Sequence, residues 1–112
     1  MVVPHFRGTA FRIVPARAEW LAGYAGAEVC SGVRGDVRQI RWHVVPGPHF
    51  YVQGTAVVGY ADGLDIYLSE SAAQTVWVAR HEALHTLGFQ HSDSVVMTDR
   101  CHAQYPNVRD AL

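Results

Sequence analysis

Two segments in the middle of the chain alternate between apolar and polar residues. Every second residue is apolar in residues 39–45 and again in residues 64–70, namely Ile40, Trp42, Val44, Leu64, Ile66 and Leu68. A period of two puts alternate side chains on opposite faces of a strand, so both segments are predicted to be β-strands with one buried face. Shorter β-type runs at residues 10–14, 50–54 and 55–61 predict further strands, because glycines or prolines separate them.

Apolar residues have helical spacing in an earlier segment of the chain. Residues 16–29 are rich in alanine and carry Trp20, Leu21 and Tyr24 at positions that fall on one side of a helix. We therefore expect a helix in this segment, between the first strand and the central strands.

A second helix is predicted near the end of the strand-rich region. Ser71 and Gln74 have the spacing of a capping box, so the helix is expected to begin after Ser71 and to run to Leu87, with Gly88 ending it. The apolar face expected to pack on the sheet consists of Ala73, Val76, Trp77, Leu84 and Leu87. Trp77 is the bulkiest of these residues and is expected to fill the gap between helix and sheet.

This order of elements predicts an α+β fold in one small domain over residues 1–112. A small mixed, twisted β-sheet carrying two helices is expected in about residues 1–90, followed by a very short C-terminal subdomain in about residues 91–112. The length of 112 residues is sufficient for one modest core.

Composition excludes some classes of partner and leaves other properties open. The formal net charge of −1 gives no indication of a basic surface for nucleic acid. The sequence contains no run of 18 apolar residues, so no membrane span is predicted. No secretion signal is recognisable at the N-terminus, so the compartment stays open, as does the oligomeric state. Cys30 and Cys101 are interpreted either as a disulfide or as two free thiols.

The second predicted helix carries the chemistry, in the segment HEALHTLGFQH at residues 81–91. His81 and His85 are four residues apart and lie on one face, where two imidazoles can share a zinc ion. Glu82 points further round the helix and is expected to reach a water molecule rather than the metal. Gly88 can take a positive φ and turn the chain, which would bring His91 to the metal as a third ligand. The segment therefore predicts one zinc ion with an open fourth position.

This segment resembles the signature of the metzincin metallopeptidases, with Met97 in the place of the methionine of the Met-turn. The resemblance is specific over residues 81–97 and loose over residues 10–90. It implies hydrolysis of peptide bonds in a peptide or protein substrate, with Glu82 as general base and Met97 as an apolar floor beneath the zinc. It also implies that the segment TAVVGYAD forms an edge strand that binds substrate, through Val57, Val58, Gly59 and Tyr60, although an ordinary surface strand explains the segment equally well.

Two other functions stay open at the level of sequence. The bacterial rRNA-maturation endonucleases have three histidines at the same spacing, but they typically carry glycine where this chain has Glu82. An inactive zinc-binding module is the other alternative, since only fifteen residues follow Met97 and a peptidase builds its substrate pocket in that region.

Overall fold

The computed structural model of the chain describes residues 13–93 and Cys101. The elements in this part of the chain are β1 (Ile13–Val14), α1 (Ala18–Ser31), β2 (Arg41–Val45), β3 (Phe50–Val52), β4 (Thr55–Val57), β5 (Gly59–Asp62), β6 (Asp65–Ser69) and α2 (Val76–Thr86). Short 3-10 turns lie at Val37–Gln39 and Ala72–Gln74. The predicted helix at residues 16–29 and the two period-two strands are confirmed, with small shifts in their ends.

The strands of residues 13–93 form a mixed sheet with the order β1-β2-β6-β5. Strand β6 is parallel to β2 and antiparallel to β5, while β1 is antiparallel to β2. Strands β3 and β4 form a separate antiparallel hairpin. The segment 55–61, predicted as one strand, thus divides at Val58 between the hairpin and the sheet. With α1 and α2 packed on the sheet, the predicted α+β class is confirmed.

The face of the sheet that carries the helices forms the main core. Trp42, Ile66 and Leu68 point to this face, and each side chain is at most 2% exposed. Trp20 of α1 stacks on Trp42 with 5.2 Å between the ring centroids. The alternation seen in the sequence thus marks the face that carries the helices. The opposite face is buried in part as well, since His43 and Val45 of β2 are also buried.

The prediction for the buried face of α2 was wrong for Val76 and Trp77, whereas Leu84 and Ala73 are buried as predicted. Trp77 is 36% exposed and Val76 is 41% exposed, so neither fills the gap between helix and sheet. The buried residues of α2 are instead Val78, Ala79, His81, Glu82, Ala83 and Leu84. This helix is covered by α1 on one side and by β5 and β6 on another, so the side rich in small residues is the buried one.

The predicted beginning of α2 at Ser71 was also wrong. Ser71 precedes the 3-10 turn at Ala72–Gln74, and its hydroxyl donates a hydrogen bond to the Pro48 carbonyl oxygen at 2.9 Å. Thr75 then has an extended backbone, with φ of −117° and ψ of 144°, which separates this turn from α2. The serine of the capping box is therefore used to attach the turn to the chain before β3.

A disulfide joins Cys30, at the end of α1, to Cys101. The sequence separation of 71 residues means that this bond links the first helix to the segment beyond α2. Of the two interpretations of these cysteines, the structure has the disulfide.

Neither α1 nor α2, the α-helices within residues 13–93, is long and apolar enough to cross a membrane.

Helix α1 approaches α2 closely at Gly23. A Cβ atom at Gly23 would lie 2.7 Å from the Val76 carbonyl oxygen and 2.9 Å from the Arg80 backbone nitrogen. Both are backbone atoms of α2, so the helix would have to move to accept any side chain there. The close approach thus depends on glycine at this position.

Gly23→Ala should lower the free energy of unfolding by about 1–3 kcal/mol, because the added methyl group overpacks the contact between the helices. Gly26→Ala is the matched control, since its Cβ would meet nothing nearer than the Arg80 Cδ atom at 3.6 Å. That control should raise stability by about 0.5–1 kcal/mol, as alanine favours a helix over glycine. Urea unfolding of both variants measures the difference; equal effects would contradict the close approach.

Candidate metal centre

The end of α2 turns the chain back on itself at Gly88. Gly88 has a φ of 104°, and its N–H donates to the His85 carbonyl oxygen at 3.0 Å. The N–H of Phe89 donates to the Leu84 carbonyl oxygen at 3.1 Å, which completes a Schellman motif. A side chain at position 88 would strain this backbone conformation. The turn directs the following residues back over the last turn of the helix.

Three histidine side chains meet at this turn. The Nε2 atoms of His81, His85 and His91 lie 3.2 Å from one another in each pairing. The cluster therefore brings together the residues that the sequence predicted as ligands, and their arrangement can hold a metal ion. His81 is buried whereas His91 is exposed, so the cluster opens to solvent on one side.

The spacing of these nitrogen atoms fits zinc. A tetrahedral zinc ion with Zn–N bonds of 2.0–2.1 Å separates two of its ligands by about 3.3–3.4 Å. The observed separation of 3.2 Å is within about 0.2 Å of that value. The three Nε2 atoms point at one centre. If each carried a proton, the three N–H groups would point at one another and none would have an acceptor, so hydrogen bonds among the rings cannot satisfy all three nitrogens. A cation at that centre would accept all three lone pairs.

The backbone at the turn selects the form of His85 that binds a metal. The Nδ1–H group of His85 donates to the Phe89 carbonyl oxygen at 2.9 Å. With its proton on Nδ1, the neutral ring presents a lone pair on Nε2, the atom that faces His81 and His91. The turn that positions His91 thus also orients the ring of His85.

The carboxyl group of Glu82 is completely buried against β5. Its residue is 0% exposed, and neither carboxylate oxygen has a hydrogen-bond partner in the part of the chain that the structure describes. Burial raises the pKa of the Glu82 carboxyl well above its ordinary value. A Cβ atom at Gly59 would lie 2.6 Å from the Glu82 Oε2 atom, so a side chain there would displace this carboxylate from its position.

A cleft of about 380 Å³ opens beside the histidine cluster. Residues 60–63, at the end of β5 and in the following turn, form one wall, and His85, Gln90 and His91 form the other. Strand β5 is an edge of the sheet formed within residues 13–93. An extended segment of chain can pair with such an edge through backbone hydrogen bonds.

The wall of the cleft differs in part from the predicted substrate-binding residues. Gly59 and Tyr60 lie in β5, but Val57 belongs to β4 and is completely buried in the small core of the hairpin. Val58 lies between the two strands, and its carbonyl oxygen accepts a hydrogen bond from the Ser69 N–H. Val57 therefore lies outside β5 with a buried side chain, and its part in binding a substrate stays a prediction.

Sequence reasoning missed part of the cleft wall. Asp62 and Gly63 follow directly in the predicted edge segment, so continuing that segment to the turn would have included them. Gln90 lies between Gly88 and His91, and only the turn geometry brings it to the wall. Met97, predicted as the methionine of the Met-turn, lies outside the described residues.

Comparison of the chain with models of protein families, with curated proteins and with solved structures finds no match. The resemblance to metzincins thus rests on the motif itself and on the histidine cluster that could hold a metal ion.

The purified protein should bind one equivalent of zinc, and bound zinc should raise its melting temperature, because a metal held only by the folded state stabilises it. His81→Ala should weaken zinc binding by at least about 100-fold, since the site loses a direct ligand. His49→Ala is the matched control, because His49 is exposed and lies away from the cluster. Titration calorimetry and thermal unfolding measure both effects. Unchanged zinc affinity in His81→Ala would exclude the cluster as the site.

Gly59→Ala should lower the free energy of unfolding by about 1–3 kcal/mol, because the methyl group would overlap the Glu82 carboxylate. Zinc stoichiometry should be unchanged, as the histidine ligands are not altered. Adding Glu82→Ala should recover part of the lost stability by removing the overlapping atoms. A double-mutant cycle in urea unfolding measures this coupling. Additive effects of the two substitutions would contradict the contact.

Proposed function

We propose that the chain is a zinc-dependent endopeptidase. The observation that carries the proposal is the combination of three converging imidazoles with the buried carboxylate of Glu82, the residue that follows His81 in the chain. Among the described residues no fourth His, Cys, Asp or Glu joins the three histidines, whereas a structural zinc site uses four protein ligands. A structural site also does not require a carboxylate that is kept without a hydrogen-bond partner among these residues. The open side of the cluster faces the cleft, where a substrate has access.

His81, His85 and His91 would hold the zinc ion in this function. When bound, zinc supplies a Lewis acid that polarises the scissile carbonyl group and lowers the pKa of water. Glu82 would accept the proton of the attacking water at a carboxylate oxygen and deliver it to the nitrogen of the leaving amine. Its burial favours this role, because a carboxylate with few competing partners is a stronger base than a solvated one.

Strand β5 would bind the peptide. Its outer edge is not paired with another strand within residues 13–93, and its last residues form one wall of the cleft. A peptide in extended form would add to the sheet there through its backbone, with its scissile bond next to the histidine cluster. This arrangement favours an unfolded peptide or a loop over a compact domain as substrate.

The cleft is less suited to RNA. An RNA-cleaving enzyme needs cationic groups for the phosphate backbone. The lining residues of the cleft within the described part include neither arginine nor lysine, whereas they include Asp62. Electrostatics at the cleft therefore favours a peptide over a polyanion.

A library of fluorogenic peptides, assayed with zinc and with chelator, tests the proposal. Zinc-loaded wild type should cleave members of the library, and the chelator should abolish cleavage. Glu82→Gln should reduce kcat by about 100-fold to 10,000-fold, because the general base is lost, while zinc stays bound. Glu19→Gln, a substitution in the first turn of α1, is the control and should retain activity.

Two results would contradict an endopeptidase. Cleavage of single-stranded RNA without cleavage of any peptide would indicate an endonuclease. Stoichiometric zinc with no cleavage of either polymer, and no effect of Glu82→Gln, would indicate a binding module.

A further inference from the structure

Two aspartates lie directly opposite each other on the outer face of the sheet. The register of β5 and β6 pairs Asp62 with Asp65 at the end of the hairpin that joins these strands. Like charges at directly opposed positions destabilise a sheet. This pair is therefore a local cost to the fold, unless other groups neutralise both carboxylates.

Only one of these carboxylates is neutralised by its described neighbours. Arg41 donates two hydrogen bonds to Asp65, from Nε to Oδ1 at 2.9 Å and from Nη2 to Oδ2 at 2.7 Å. His43 Nε2 lies 2.8 Å from the same Oδ1 atom. The hydrogen bonds from Arg41 contribute most to holding the pKa of the Asp65 carboxyl below its ordinary value. Asp65 is thus a stable anion with its own cationic partner.

Asp62 has no such partner in the structure as described. No hydrogen bond or ion pair joins its carboxylate to any residue within 13–93, and the residue is exposed. After Arg41 has compensated Asp65, the charge of Asp62 remains at the end of β5. The negative charge also acts on the cleft wall, since burial raises the pKa of Tyr60 and Asp62 raises it further.

Asp62 is also one of the residues that line the cleft beside the histidine cluster. Asp62 lies in the wall opposite His85 and His91, and the described residues that line the cleft include neither arginine nor lysine to pair with it. A cationic side chain bound in the cleft would relieve the repulsion between Asp62 and Asp65 and would complete an ion pair. A negative side chain would meet repulsion from Asp62.

We propose that Asp62 selects peptide substrates that carry lysine or arginine at the residue bound beside the end of β5. The inference rests on the proposed peptidase function, since it assigns a substrate class to the same cleft. Asp62 acts here through its charge on a substrate side chain and takes no part in the proton transfers assigned to Glu82.

Matched peptides that differ only in arginine or citrulline test the proposal, because citrulline keeps the shape of arginine and lacks its charge. At low salt, wild type should cleave the arginine peptides about threefold to fivefold faster in kcat/KM, the strength of an exposed ion pair. The preference should shrink at high salt, where the charges are screened. Asp62→Asn should remove the preference, and Asp62→Lys should favour peptides with glutamate at that residue. Glu19→Gln should retain the wild-type preference.

A second readout separates recognition from a structural role. Asp62→Asn should raise the free energy of unfolding, because the repulsion from Asp65 is removed, while selectivity for arginine is lost. Loss of stability in Asp62→Asn would mean that Asp62 supports the fold, and would overturn the inference. Equal rates for arginine and citrulline peptides in wild type would overturn it as well.

The inference can fail independently of the proposed function. If zinc-loaded wild type cleaves peptides without regard to charge, the function stands and the role of Asp62 is wrong. If it cleaves none, the proposed function is wrong, and binding of the same peptides decides the inference. That binding is measured by fluorescence anisotropy with zinc-loaded Glu82→Gln, where tighter binding of the arginine peptide supports a role for Asp62 and equal binding rejects it.

Discussion

Helix α2 is held between α1 and β5 at distances that leave no room for a Cβ atom at the closest points. Gly23 meets the backbone of α2 on one side, and Gly59 meets the side chains of Val78 and Glu82 on the other. Atoms at these contacts cannot move closer and can move apart only by opening the core. His81, the first of the three candidate ligands, lies on this helix, so its position is determined by that of the helix. The geometry of the candidate metal centre therefore depends on two contacts of α2, in which Gly23 and Gly59 contribute only backbone atoms.

The features that cost the fold free energy occur around the cleft. Burying the Glu82 carboxylate without a hydrogen-bond partner among described residues carries a desolvation penalty, which the raised pKa expresses. Asp62 and Asp65 add like charges at opposed positions. The core around Trp20 and Trp42, by contrast, follows the ordinary rules of burial and packing. Such a distribution is typical of proteins in which local stability is given up for a site.

Local geometry explains why the sequence predicted some features and not others. All three histidines lie within residues 81–91, so helical spacing and one turn determine their convergence. Periodicity also predicted which side chains of α2 share a face. It could not predict which face is covered, because the elements that cover α2 are remote in sequence. Trp77 was therefore placed in the core although it is partly exposed. Ser71 was misassigned for the same reason. The contact of Gly59 with Glu82 depends on the distance between β5 and α2. The residue pattern of neither segment predicts that distance.

The bond between Cys30 and Cys101 closes most of the chain into a covalent ring. The ring contains β2 to β6, α2 and the histidine cluster, because all of them lie between the two cysteines. If one peptide bond inside this ring is hydrolysed, the disulfide still holds the two parts together. The mass of the molecule then increases only by that of one water molecule. Under the proposed function the chain would be exposed to its own activity, and a cut inside the ring would become visible only after the disulfide is reduced.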